Sequence, residues 1–200
     1  ATEAMLPTLC QDGDVIVSDE LNHACIIDSM RLATAIHRGV SKVIYKHSDM
    51  ESLRDSLVTA TEKRSGDGTI FVITDGVFSM EGDIALLPEI RSLCDEFGAV
   101  LAVDDSHGTG VMGETGRGTH EHYGMSGSDI DLFIGTLGKA LGGGAGGYVA
   151  GKREAVELLV QRGRPTLFSN ALPVTVACSA KTAIDTLDNN PSLVQKLRDN

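Results

Sequence analysis

"TIFVITD" (69–75), "LPEIRSLCDEFG" (87–98) and "AVLAVDD" (99–105) commit this chain to alternating strand and helix. The first and third are short, apolar and rich in β-branched residues, the composition of a strand buried on both faces. The second spaces its apolar residues along one face of a helix, places Pro88 near the first turn and stops at Gly98. Strand, helix, strand in this order requires a crossover between parallel neighbours, since tight hairpins join antiparallel ones. The pattern continues outward in both directions. "DVIVSD" (14–19), "SKVIYKH" (41–47) and "DIDLFIG" (129–135) are further predicted strands, "GGYVAG" (146–151) is a sixth, and helical spacing occupies 25–35 and 49–61. Together they predict an α/β fold with a mostly parallel sheet covered on both faces.

Composition bounds what such a fold can do. With 200 residues, 42% hydrophobic and 22% charged, the chain has the balance of one globular domain with a substantial core. A formal net charge of -11 argues against nucleic acid or an anionic membrane as a general partner. Cys10, Cys25, Cys94 and Cys178 are scattered without a CxxC pair, which suggests neither a zinc site nor a disulfide framework. A reducing, cytoplasmic setting is expected, because no membrane span or signal segment is legible. The opening "ATEAMLPTLCQDGD" (1–14) reads as the tail of a helix entering a turn, so the chain is expected to be part of something longer.

Ligands of parallel α/β sheets collect beyond the carboxyl ends of the strands. Those ends here read "DELNHA" (19–24), "DGVFSMEGD" (75–83), "DDSHGTG" (104–110) and "GTLGK" (135–139). Asp and His at one strand end commonly do no more than cap and turn, but four polar ends in one sheet point to a shared cleft. A P-loop is excluded, since Phe133 occupies the first glycine position and Ala140 follows Lys139. Of two GxGxxG strings, that at 108–113 follows a strand but opens no amphipathic helix, and that at 142–147 precedes a strand, so neither has the context a dinucleotide site requires. His120 and His122 flank Glu121 but supply only two metal ligands, and no metal is expected.

Lys139 remains. "GTLGKALGGGAGGYVAG" (135–151) sets it among eight glycines. A lysine amine attacks carbonyls only when deprotonated, and desolvation among small residues favours that state. An imine-forming lysine suits pyridoxal 5'-phosphate (PLP), with Asp104 opposite the pyridine nitrogen, Thr136 as a phosphate donor, and glycines that let the ring approach the backbone.

"LNHACIID" (21–28), "TDGVFSMEGDIALLPEI" (74–90), "VDDSHGTGVMGETGRGTHE" (103–121), "GTLGKALGG" (135–143) and "RPTLFSNALP" (164–173) occur in the order found in the α-oxoamine synthases, which the chain closely resembles. These are fold type I PLP enzymes that join an amino acid to an acyl-CoA. The resemblance implies a three-layer large domain, of which residues 1–200 would be the central part, without the glycine-rich segment that precedes it or the small C-terminal domain. It implies that Lys139 binds the cofactor covalently, Asp104 pairs with the pyridine nitrogen, and His23 stacks on the ring. His107 and Ser79 would lie near the phenolic oxygen, Thr136 would bind the phosphate, and Ser169 would reach the phosphate of the other subunit of a homodimer. "GRGTHEH" (116–122) and "GTLGKALGG" (135–143), with "RPTLFSN" (164–170) after them, look most like the glycine C-acetyltransferase branch, which condenses glycine with acetyl-CoA to 2-amino-3-ketobutyrate and CoA. The alternatives are 8-amino-7-oxononanoate synthase, 5-aminolevulinate synthase, serine palmitoyltransferase or a noncatalytic PLP-binding homologue.

Overall fold

A computed structural model describes residues 1–142 and 144–200. Helix α1 (Thr2–Leu9) leads into β1 (Val15–Asp19), α2 (Ala24–Ile36), β2 (Ser41–Tyr45), α3 (Met50–Lys63), β3 (Ile70–Asp75), α4 (Leu87–Phe97) and β4 (Val100–Asp104). After the single turn α5 (Thr119–His122) come β5 (Leu132–Thr136), β6 (Gly147–Gly151), α6 (Arg153–Arg162), α7 (Arg164–Leu167), α8 (Val174–Asn189) and α9 (Ser192–Asp199). The sheet runs in the order β2-β1-β3-β4-β5-β6. Its first five strands are parallel, and β6 pairs antiparallel with β5. The glycine-rich link between β5 and β6 is too short for a crossover, so the chain can only turn back on itself there.

Burial follows position in the sheet. β1 and β3 are buried at every residue, whereas the edge strand β2 alternates. On one face Val17, Val72, Leu101 and Val103 pack with Leu53 and Leu57 of α3 and with Ile90 and Leu93 of α4. On the other, Ile16, Ile73, Ala102 and Ile134 pack with Met5 and Leu6 of α1, Ile26 and Met30 of α2, and Leu159 of α6. Helix, sheet and helix thus form three layers: the alternating pattern predicts the α/β class, and the motif resemblance implies the three-layer arrangement.

The helices form where local chemistry allows. In α3, Leu53, Ser56, Leu57 and Ala60 are buried at the spacing of one helical face. The Asp49 carboxylate caps α3 by accepting the Ser52 N–H at 2.9 Å, an interaction of about 1 kcal/mol. In α4, Pro88 sits in the first turn and Gly98 closes the helix at φ 64°. All six predicted strands are longer than the observed ones, and for two of them the local cause is plain. The strand predicted to reach residue 47 ends at Tyr45, because the Lys46 carbonyl accepts the Asp49 N–H in a turn. The strand predicted from 129 begins at Leu132, because Gly127–Asp129 form a 3-10 turn capped by Ser126 and Asp129. Among the described residues, no helix is long and apolar enough to cross a membrane.

Candidate active site

Five parallel strands place their carboxyl ends along one edge of the sheet. The chain leaves β1 toward β2 on one side and returns to β3 on the other, which opens a crevice between the ends of β1 and β3. A cleft of about 310 Å³ occupies this edge, within the size range of small-ligand sites. His23 and Cys25 enter from the start of α2, Asp75 from β3, Asp104 and His107 from β4 and its following loop, and Thr136 and Lys139 from β5 and its turn.

Asp104 is only 4% exposed and occupies the same register level as Asp75 on β3. Its Oδ1 accepts the Ser106 N–H at 3.1 Å, and its Oδ2 lies 3.9 Å from Cys25 Sγ. Lys139 Nζ approaches His107 Nε2 to 2.8 Å. An ammonium can only donate, so Nε2 is the acceptor and the ring proton resides on Nδ1. Burial, then the adjacent Lys139, pushes the His107 imidazole below its ordinary value, which keeps it neutral and able to accept at neutral pH. At the rim, His23 caps α2: its Nδ1 accepts the Cys25 N–H at 3.2 Å, which leaves the proton on Nε2 and restrains the ring. The Thr136 hydroxyl donates to the Gly146 carbonyl at 3.1 Å and accepts the Gly138 N–H at 3.3 Å, which ties the lysine turn to the start of β6.

Asp105 faces away from its neighbour. It is 1% exposed, and it accepts the Thr119 N–H at 3.0 Å and the Thr119 hydroxyl as well. Burial pushes its carboxyl up to about 6, although both Thr119 donors pull the other way. A Cβ on Gly108 would collide with the Asp105 carboxylate and the Thr119 hydroxyl. Gly108→Ala is therefore expected to destabilise the chain by about 1–3 kcal/mol, read as a lower urea midpoint, because the His107 loop can close only with that glycine bare. Gly135 has a similar constraint, since a Cβ there would enter the Tyr148 ring. The Tyr148 hydroxyl lies 3.0 Å from Thr109 Oγ1, so β6 anchors the loop that carries His107.

The sequence-predicted residues Lys139, Asp104, His107, His23 and Thr136 therefore converge. Ser79 and Ser169 do not. Phe78 is buried between the Val77 and Ile84 bridge and the His47 ring, and this turns Ser79 outward into an exposed position away from the cleft lining. The bond from His47 to Asp83, at 3.1 Å, holds that hairpin. Ser169 is exposed beyond α7 and donates to the Pro165 carbonyl. His120 packs edge-on to Phe133, with ring centroids 4.9 Å apart. Among the described residues, no group of three metal-ligating side chains occurs. Sequence reasoning missed Asp75 and Cys25. The signal for Asp75 was its place at the end of an apolar strand, the same signal that marked Asp104.

A flat group carrying positive charge fits this cleft. Two carboxylates lie in register at its floor, one ammonium faces them, and the walls at Gly135, Gly146 and Gly147 carry no side chain. Fold and donor set together define a PLP-dependent transferase domain. The chain belongs to the aminotransferase class I and II family, whose pattern it matches over residues 1–200. It is 50% identical over 200 residues to 8-amino-7-oxononanoate synthase of Thermoanaerobacter pseudethanolicus, covering 100% of this chain and 48% of that protein. It is 47% identical to the same enzyme of Geobacter sulfurreducens, over 94% of this chain and 46% of that one. Among solved structures, Sphingomonas wittichii serine palmitoyltransferase superposes with a TM-score of 0.83 at 34% identity, over 94% of this chain and 44% of that one. Serine palmitoyltransferase from S. paucimobilis, solved with PLP and myriocin bound, gives a TM-score of 0.87 at 29% identity, over 99% and 47%. The chain thus spans about half the length of the curated relatives it matches. Its relatives are α-oxoamine synthases, as the five motifs imply. Those named here carry two of the alternatives, 8-amino-7-oxononanoate synthase for the curated relatives and serine palmitoyltransferase for the solved structures, rather than glycine C-acetyltransferase.

Proposed function

We propose that this chain contributes the central part of the cofactor-binding large domain of a PLP-dependent α-oxoamine synthase, of the 8-amino-7-oxononanoate synthase type. The observation that carries the chemistry is Lys139 Nζ held 2.8 Å from a neutral imidazole in a cleft with buried Asp104. When bound, PLP supplies an electron sink for charge left on the substrate α-carbon. Lys139 Nζ would hold the group covalently and would serve as the base that moves the proton at the substrate α-carbon. The Asp104 carboxylate holds a proton on the ring nitrogen opposite it. His107 accepts from Lys139 and would hold the phenolic oxygen, while His23, restrained by its cap, would offer its flat face to the ring. Thr136 would be the phosphate donor from this chain, its hydroxyl turning away from the Gly146 carbonyl, and Ser169, turning from the Pro165 carbonyl, the donor across a homodimer boundary. Ser79 reaches the phenolic oxygen only if its hairpin turns inward.

The substrates follow from the carbon skeleton in the relatives' name. A nine-carbon acid with its amine on C8 and its ketone on C7 divides into two parts. C8 and C9 are alanine after loss of its carboxyl carbon, and C1–C7 are a seven-carbon dicarboxylic acyl group delivered as a thioester. A second reading, glycine with acetyl-CoA, rests on "GRGTHEH" (116–122). The assembled enzyme incubated with PLP and each amino acid–thioester pair separates them by product mass. 8-amino-7-oxononanoate is expected, and 2-amino-3-ketobutyrate alone would reverse the choice.

A further inference from the structure

None of the roles above uses Asp75, yet it stands at the floor of the cleft. It is 6% exposed, and its Oδ2 accepts the backbone N–H of His23 at 2.7 Å. Its own N–H donates to Asn22 Oδ1 at 2.8 Å, and the Asn22 amide in turn donates to Ser18 Oγ and the Ile73 carbonyl. This buried network spans β1, β3 and the start of α2, so the Asp75 carboxylate sits under the residue that caps the helix. The groups facing it are Asp104 from β4, Asp19 from β1, Lys139 from the β5–β6 turn, and the His23 imidazole and Cys25 thiol from α2. Asp75 and Asp104 face one ammonium in the cleft, while the Asp19 carboxylate is bonded to the His47 ring at 3.0 Å. Neighbouring buried carboxylates cannot both carry full charge cheaply, so the pair retains a proton until a cation arrives. Burial first, then Asp104, pushes Asp75 up to about 7, while the His23 N–H pulls it down.

We propose that Asp75 is a positioning residue of the cofactor site: it fixes His23 through the backbone N–H, and it gives up its proton to solvent when a cationic ring settles against Asp104. The proposal rests on the cofactor reading above and adds a second carboxylate to it. In the cofactor-free chain the proton on Asp75 balances the floor. With the ring bound, the ring's positive charge takes over that balance and Asp75 ionises.

Proton release on PLP binding tests this, measured calorimetrically at pH 7 in two buffers of different ionisation enthalpy, for the unmodified protein and Asp75→Asn. Asparagine still accepts the His23 N–H but cannot titrate. The unmodified protein is expected to release more protons than Asp75→Asn, by roughly half a proton per site, with the difference vanishing near pH 9. Equal release at pH 7 overturns the proposal. Asp75→Glu provides an independent arm: it keeps the titrating group but displaces the His23 anchor, so release should persist while PLP affinity falls about tenfold. Unchanged affinity there overturns the positioning role. Urea midpoints of the cofactor-free chain add a third readout. A carboxyl raised to about 7 favours folding in its protonated form, so its contribution is present below the ordinary value and lost as pH rises through 7. Asp75→Asn should flatten that loss, and an unchanged slope counts against the proposal. Borohydride reduction of each sample keeps the two readings apart: absence of label on Lys139 in every protein overturns the cofactor reading itself.

Discussion

Lys139→Ala is expected to abolish the phosphopyridoxyl label that borohydride fixes on this chain in the presence of PLP. Peptide mass mapping of the reduced protein checks it. The expectation follows from position. Lys139 projects from the turn after β5 into the cleft, with Nζ 2.8 Å from His107 Nε2 and the Asp104 and Asp75 carboxylates below. The neutral imidazole accepts from the amine instead of repelling it, so the nitrogen is held in one place without a permanent ion pair. Lys152 is the natural comparison. It follows β6, and its Nζ lies 3.7 Å from Asp131, a residue that precedes β5 at the opposite edge of the sheet. Label on Lys152 with Lys139 unmodified would remove the basis for the proposed function. Turnover in the assembled enzyme should fall with the label, because the same nitrogen is both anchor and base.

Asp104→Asn is expected to leave covalent attachment at Lys139 intact while slowing exchange of the amino-acid α-proton by at least ~100-fold, the effect of losing roughly 3 kcal/mol of transition-state stabilisation. Proton exchange followed by NMR in deuterated buffer measures it. Asparagine preserves the shape and still accepts the Ser106 N–H, so the loss isolates the charge. Asp105→Asn is the control. Its side chain lies on the other face of β4, bonded to Thr119, so exchange should be nearly normal while the urea midpoint shifts. Near-normal exchange in Asp104→Asn would refute the pairing of that carboxylate with the ring nitrogen.

The two aspartates illustrate how far a sequence carries. Alternation along a strand is a local rule, so "AVLAVDD" (99–105) already implied that Asp104 and Asp105 point to opposite faces. The structure bears this out, with one carboxylate in the cleft and the other tied to Thr119. Ser79 shows the limit. Its motif was legible, and the bridge from Val77 to Ile84 is local, but whether Ser79 points inward also depends on how Phe78 packs against His47, a partner distant in sequence. Asp75 was overlooked for the complementary reason. Its place at the end of the apolar stretch "TIFVITDG" (69–76) was the legible signal, but whether that aspartate is a solvated turn residue or a buried carboxylate is decided only when β4 is laid beside β3.

The sequence by itself determined the layered α/β class, five of the six strands to within two residues at either end, and the lysine. Strand composition, helical spacing, Pro88 and Gly98 act within a few residues, and motif order survives without coordinates. Tertiary structure alone decided the strand order, the antiparallel return of β6, the 2.8 Å approach of Lys139 to His107, and the pairing of Asp75 with Asp104. Each of these depends on which strands become neighbours. That choice is made by burying two apolar faces at once, a global balance of packing against chain entropy that no local stretch encodes.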